Sequence, residues 1–382
     1  MYDVCIVGAG LSGSVLAERI ATQHHKKVLL LDIRNHIGGN VYDYINSNHI
    51  RVNQYGAHLF HTNRQDVWEY VQQWGTWIPW EHRVLARWNS LYVPIPICLQ
   101  TMQTMGFAQT IPEMKTYFER ETLTFQQKSI QNSRDSCLAR VGPFFYETFF
   151  RHYTVKQWNK EPEELDASVL ERIPIRFQDD DRYFTDKYQA LPQDGYTSIV
   201  KSMIQQPEIT LHLNTDYFQE EHTLRGIQTI IFTGAIDRYY HFSGLEPLEY
   251  RSIRFEEYNV PLEENQEFIL PSSVVNEPSQ HIPYTRTVEY KHFLNQQTDK
   301  KVSTLVREYT NSNGEPYYPV PNIRNLALYK QYQILAEQET EKQRRQIIFA
   351  GRLANYKYIN MDQAIGMALD EFAKIKYHER SI

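Results

Sequence analysis

Cysteine is scarce in this chain: Cys5, Cys98 and Cys137 are the only three in 382 residues, and no two of them form a C-x-x-C pair. That excludes a disulfide scaffold and a thiolate metal centre, and it suits a reducing compartment. Positive charge is also in short supply. Forty Lys and Arg face forty-six Asp and Glu, a formal net charge of −6. A surface with excess carboxylate does not attract nucleic acid or an anionic membrane, which leaves room only for a local basic pocket. Long apolar runs are missing as well. The first is too short to span a bilayer, lacks a basic flank and is broken by glycines, so neither membrane insertion nor a signal sequence is expected and the chain reads as cytoplasmic. There is no repeat period and no low-complexity tract, which excludes solenoids and long flexible linkers.

What the chain does have is apolar and aromatic material. Hydrophobic residues make up 41% of it, enough for two or three domains with real cores. Its 27 Tyr, 18 Phe and 6 Trp serve either core packing or a site that stacks rings and sugars, and composition does not choose. The opening stretch, MYDVCIVGAGLSGSVLAERI, is more specific. A short strand, Val4 to Val7, runs into Gly8, Gly10 and Gly13, and Val15, Leu16 and Ile20 then continue at helical spacing. This is the strand, turn and helix context in which G-x-G-x-x-G binds a dinucleotide. A second strand, in KKVLLLDIR, ends near Asp32, 19 residues past the third glycine, where a carboxylate meets the hydroxyls of an adenosine ribose.

Further along, Cys98 to Gly142 reads as amphipathic helix, with TIPEMKTYFERE a proline-started one. Alternating segments such as YRSIRFEEY and TRTVEYKHF predict an antiparallel sheet between Tyr250 and Arg307. QTIIFTGAID and RQIIFAGRLANY again look like apolar strands ending in glycine turns. The expected architecture is an α/β, Rossmann-like dinucleotide domain assembled from residues 1–78, 190–240 and 315–382. A helical domain is expected over 98–165, followed by a substrate loop to about 178, and an antiparallel β-sheet domain over 79–97, 179–189 and 241–314.

The glycine fingerprint alone does not separate NAD from FAD. The cluster DIRNHIGGN sets Arg34 and the turn Gly38-Gly39-Asn40 just beyond the ribose carboxylate, within reach of further cofactor oxygens. D-x-R-x-x-x-G-G in this position resembles the FAD-binding fold of glutathione-reductase-like and amine-oxidase-like flavoproteins. Gly351 and Arg352 in a late strand-end turn fit that resemblance, as do Asp362 and Gln363 at the start of a helix whose dipole suits a flavin anion.

Six motifs then point to one family. YGAHLFHT (55–62), YTVKQW (153–158), ERIPIRF (171–177), HIPYTR (281–286), EPYYPV (315–320) and GRLANYKYINMD (351–362) together resemble the UDP-galactopyranose mutase family, in the same order and over nearly the whole chain. The resemblance implies an isomerase that interconverts the six- and five-membered ring forms of a nucleotide-linked galactose. It implies reduced FAD, no net redox change, and a covalent adduct between flavin N5 and the sugar. A nicotinamide cofactor, NADH or NADPH, would reduce the FAD, and a homodimer is expected.

The resemblance also implies roles for single residues. Arg172, on a mobile loop, and Arg286 would hold the diphosphate with Tyr183, Tyr318 and Tyr358; guanidinium forks and phenol hydroxyls are suited to phosphate oxygens. Tyr153 would stack on the nucleotide base with Phe149, Phe150, Thr154 and Trp158 nearby, although such an aromatic run serves a buried helix face equally well. His58 and His61 would lie beside the flavin or else belong to a polar core. Asn276 would face the sugar, unless it caps a loop. Two positions depart from the family pattern. Asn360 stands where the family often has aspartate, and His82, in EHRVLA, stands where it often has asparagine near the sugar pocket. Both leave the sugar open: dTDP-fucopyranose or UDP-N-acetylgalactosamine would use the same machinery. An amine-oxidase-like flavoenzyme is a more distant alternative.

Overall fold

Four-residue apolar strands build the first layer. In the computed structural model, which describes residues 2–171, 174–224, 226–342 and 346–375, five parallel strands pair in the order Ile209–His212, Val28–Leu31, Val4–Val7, Thr229–Phe232, Gln346–Phe349. The inner ones are apolar at nearly every position because both faces are covered. Successive residues serve different cores. Val4 and Ile6 pack with Val15, Leu16 and Ile20 of the helix Leu11–His24, while Cys5 joins Tyr239, Leu328 and Tyr332 on the opposite face. Fully burying one such aliphatic side chain contributes about 1.5–3 kcal/mol, so this sheet is the rigid support of whatever sits at its strand ends.

A second sheet has seven strands, in the order Tyr318–Pro319, Tyr250–Pro261, Val302–Asn311, Arg286–Glu289, Val274–Asn276, Val84–Trp88, Leu91–Ile95. The antiparallel expectation needs one amendment. Val274–Asn276 runs parallel to Val84–Ala86, because that neighbour arrives from a distant part of the chain and not through a hairpin. A separate three-stranded sheet joins Phe60–Thr62, Tyr188–Pro192 and Trp77–Pro79. It takes strands from segments that the sequence reading divided between two domains.

The third part is helical: Leu99–Met105, Ile111–Gln126, Ser133–Phe145 and His152–Trp158. Thr110 caps the second of these by accepting from Glu113 N–H, with Pro112 in its first turn. Ser133–Phe145 bends where Gly142 takes φ +73° ahead of Pro143. A Cβ at Gly142 would sit 2.8 Å from Glu121 Cβ, so the bend is also a close helix contact. A π-helical turn, Tyr146–Arg151, then leads into His152–Trp158.

Candidate active site

Two glycine turns form one end of a cavity of about 650 Å³. Gly38 N–H donates to Ala9 O at 2.8 Å. The turns touch backbone to backbone, since a Cβ at Gly39 would lie 2.8 Å from Gly10 Cα. Gly13 is as confined: its Cβ would lie 1.9 Å from Gly8 O. Asp32 ties the first glycine turn to its own by accepting from Ala9 N–H at 2.7 Å and Arg34 N–H at 2.9 Å. The Arg34 guanidinium lies over the Tyr55 ring and donates to Asn40 Oδ1 at 3.1 Å and to Glu315 at 2.7 Å. The helix beyond Gly10 has no side-chain cap and no acidic residue in its first turn, so its first N–H groups face the cavity uncompensated.

The seven-stranded sheet supplies the floor. Asn276 stands directly opposite Arg286, and Arg286 directly opposite Glu308, so the three side chains share one face in a row across three strands. Arg286 Nε donates to Glu308 Oε2 at 2.6 Å. Glu308 is 2% exposed, and its other oxygen has no partner. No other side-chain hydrogen bond of Arg286 is made among the described residues, which leaves its remaining N–H donors for a ligand.

Three histidines line the same space. His58 Nδ1 lies 2.7 Å from Gly56 O. A carbonyl only accepts, so Nδ1 carries the proton and Nε2 keeps a lone pair. Burial, opposed by that carbonyl and assisted by Arg352 and Arg286, takes the His58 pKa down to about 4. His82 is buried with Nδ1 unpartnered, and burial beside Arg286 and His61 pushes it down to about 3. His61 pairs with Asp186 at 3.0 Å and stacks on Phe184 at 3.6 Å.

An aromatic wall closes the far side. Tyr153 is half-buried on the helix His152–Trp158, and burial keeps it a neutral phenol. Tyr318 and Tyr358 lie 4.9 Å apart, Trp158 lies 5.7 Å from Tyr358, and Arg352 stands over Tyr317 and Tyr318 at 4.9 and 5.4 Å. Glycine cradle, cationic floor and aromatic wall thus bound a single space.

A family model described as UDP-galactopyranose mutase matches residues 148–358, more than half of the chain. The chain belongs to the UDP-galactopyranose mutase family. A second model, an NAD(P)-binding Rossmann-like domain, matches residues 6–74. A probable UDP-galactopyranose mutase of Klebsiella pneumoniae is 35% identical over 97% of this chain and 94% of its own length. A dTDP-fucopyranose mutase of Escherichia coli is 34% identical over 97% of both. The fold resembles a crystal structure of reduced UDP-galactopyranose mutase with a TM-score of 0.74 at 16% identity, over 97% of this chain and 93% of that one.

For this member of the UDP-galactopyranose mutase family, the structure gathers most of the residues singled out in the sequence onto the one cavity. Gly8, Gly10, Gly13, Asp32, Arg34, Gly39 and Asn40 line the cradle end, with Gly351 and Arg352 beside them. His58, His61, His82, Asn276, Arg286, Tyr153, Thr154, Tyr183, Tyr318, Tyr358 and Asn360 line the remainder. Phe149, Phe150 and Trp158 also reach it, although they are nearly fully buried and belong mainly to cores. Arg172 lies outside the described residues. Two of the singled-out residues lie off the cavity wall. Gln363 is exposed and off the cavity wall; its Oε1 accepts from Asn360 N–H at 2.9 Å and closes a capping box. Asp362 is also off the wall, though it buries Oδ1 without a partner. The cavity instead takes Met361 and Ala364 from this helix.

Among the lining residues that the sequence reading did not single out, three make contacts that shape the site. Glu308 had no signal beyond strand alternation. Tyr317 sits inside the quoted EPYYPV, and its hydroxyl donates to Tyr55 O at 2.6 Å. Arg176 sits inside ERIPIRF, nearly buried, and holds the main-chain carbonyls of Arg182 and Tyr183. Among the described residues no group of three His, Cys, Asp or Glu could hold a metal ion, and no helix is long and apolar enough to cross a membrane.

Proposed function

We propose that this enzyme interconverts the pyranose and furanose forms of a nucleotide-linked galactose-type sugar, UDP-galactopyranose and UDP-galactofuranose in the first place, with reduced FAD bound in the glycine cradle. The observation that carries the reading is the continuity of one cavity from the cradle to the Asn276, Arg286 and Glu308 row and the aromatic wall. A flavin dinucleotide fits the residues present. Bare backbone at Gly10 and Gly39, together with an uncapped helix N-terminus, suits a pyrophosphate that approaches too closely for any Cβ. Bound and reduced, FAD supplies the nucleophile for the anomeric carbon without net redox change.

The chain's own residues bind and orient. Arg286, with Arg172 as the second cation, takes the diphosphate and stabilises it as it departs. Glu308, accepting from Arg286 Nε, orients the Arg286 fork. Tyr153 stacks on the base, and the hydroxyls of Tyr183, Tyr318 and Tyr358 add donors to the phosphates. His58 stays neutral near pH 7, so its Nε2 accepts a hydrogen bond and does not act as an acid. Asn276 presents an amide to the sugar from the same strand pair as Arg286.

The test is turnover of UDP-galactofuranose, UDP-galactopyranose and dTDP-fucopyranose by dithionite-reduced enzyme, with ring isomers separated by chromatography and oxidised enzyme as control. Conversion only by reduced enzyme is the expected result. The dTDP-fucose arm stands because the two relatives named above are nearly equally similar to the chain, and UDP-N-acetylgalactosamine is run beside it. Substrate-dependent oxygen consumption without isomerisation would move the protein to an amine-oxidase-like activity. The reading extends to a cytoplasmic homodimer reduced by NADH or NADPH. Light scattering and anaerobic flavin reduction with each nicotinamide check those two points.

A further inference from the structure

One side chain joins the aromatic helix to the hairpin that carries Asn276 and Arg286. Lys156 Nζ donates to Ser279 O at 3.0 Å, to Ile282 O at 3.1 Å, to Tyr284 O at 2.9 Å and also to Glu277 O. Its three N–H donors are shared among four carbonyls spread along the whole loop between the two strands. The same helix end is tied to the sheet from its other side. Arg251 Nε donates to Gln157 O at 2.9 Å, and Thr310 Oγ1 donates to Lys156 O. Lys156 is the point where helix, sheet and hairpin meet.

Four carbonyl oxygens turned toward one point repel each other unless a cation lies between them. Burial lowers the ammonium's pKa to about 8, against the pull of the Glu277 carboxylate. The carbonyl dipoles favour the charged form. Glu277 is itself nearly buried and held by Arg87 at 3.0 Å, so the loop's first residue is fixed as well. The loop begins one residue after Asn276, the partner of Arg286, and ends one residue before Arg286 itself. The loop thus leads directly into the strand residue that carries the Arg286 fork.

We propose that Lys156 is a positioning residue for the nucleotide sugar: by clasping residues 277–284 it sets the distance between the stacking surface at Tyr153 and the diphosphate cation at Arg286. The inference rests on the function proposed above. Lys156 touches neither the sugar nor the cofactor in this role. Its effect passes through the hairpin, and a ligand that must reach both the helix and the sheet is the one that senses it.

The experiment compares Lys156→Met with the unchanged enzyme in three readouts: amide hydrogen exchange of residues 277–285, UDP affinity, and steady-state kinetics with the nucleotide sugar. Expected are faster exchange in the loop alone, UDP affinity weakened about tenfold, and KM raised about tenfold with kcat within about threefold. In Lys156→Ala, added propylammonium should restore part of the UDP affinity by refilling the carbonyl cage. If Lys156→Met does not fold, Lys156→Arg makes the same comparison, because it keeps the charge but replaces a compact donor with a planar fork. Unchanged loop exchange, or a faster loop with unchanged UDP affinity and KM, overturns the proposal. An unchanged enzyme that neither binds UDP nor converts a nucleotide sugar overturns the functional reading first, and the positioning role with it.

Discussion

Arg286 carries its charge beside a carboxylate that water barely reaches, so the two side chains have to be considered together. Replacing Arg286 with Leu strands the Glu308 carboxylate in a buried site, and losing one member of such a pair costs about 3–5 kcal/mol. Urea denaturation should show that loss for Arg286→Leu and a large recovery for Arg286→Leu with Glu308→Leu, while neither variant binds UDP. A double variant no more stable than the single one would mean that the stranded charge is not the cause. The histidines give a second residue-scale expectation. Burial holds the His58 pKa at about 4 and the His82 pKa at about 3, both below the ordinary value of 6.5. In the unfolded chain they take up protons near 6.5, whereas the folded chain refuses them until far lower pH. Their contribution is therefore complete above pH 6.5 and is lost as pH falls from there toward 4 at His58 and 3 at His82. The urea midpoint should drop over that window, and His82→Gln should make the drop shallower. An unaltered slope in that variant would remove His82 from the account.

The glycine turns bring a prediction at the scale of elements. Gly13 lies where the first helix crosses the end of the first strand, and an added Cβ would overlap Gly8 O. Gly13→Ala must push the helix off the strand, at an overpacking cost of about 1–3 kcal/mol, and it should yield protein with little bound flavin, read from visible absorbance per mole of chain. Full flavin occupancy in that variant would contradict the cradle. This turn was legible in the sequence because strand, glycines and helix are contiguous, so local geometry alone fixes it. The hairpin was half legible: Arg286 lay in the quoted HIPYTR, and the family resemblance set Asn276, ten residues earlier, at the sugar. That Glu308 completes the row depends on a strand 22 residues further on, and no local pattern specifies that register. The parallel partner of Val274, at Val84, is more remote still. Gln363 shows the opposite case. The capping box from Asn360 was present as N-x-x-Q, and hydrogen bonding of the helix's first turn claimed a side chain that dipole reasoning had assigned to the cofactor.

At the scale of the whole molecule, the cavity draws its lining from both large sheets, from the three-stranded sheet and from the helical part; one core runs through all three sheets, and the helical part shares a second with Ala86, Val93 and Ile95 of the seven-stranded sheet. A nucleotide sugar that stacks at Tyr153 while its diphosphate reaches Arg286 would bridge the helical part and the seven-stranded sheet, and Lys156 already links the two without ligand. Binding to the folded chain alone should raise its unfolding free energy by about 2.7 kcal/mol when free UDP is 100 times its dissociation constant. Because the ligand's contacts lie on several parts at once, the rise should appear as one transition moved to higher urea, followed in parallel by tryptophan fluorescence and far-UV circular dichroism. The six tryptophans sample different regions, with Trp158 in the aromatic wall and Trp68 and Trp77 packed near the three-stranded sheet. If UDP shifted only one of two separate transitions, the helical part and the sheets would be unfolding independently, and the clasp at Lys156 would be too weak to couple them.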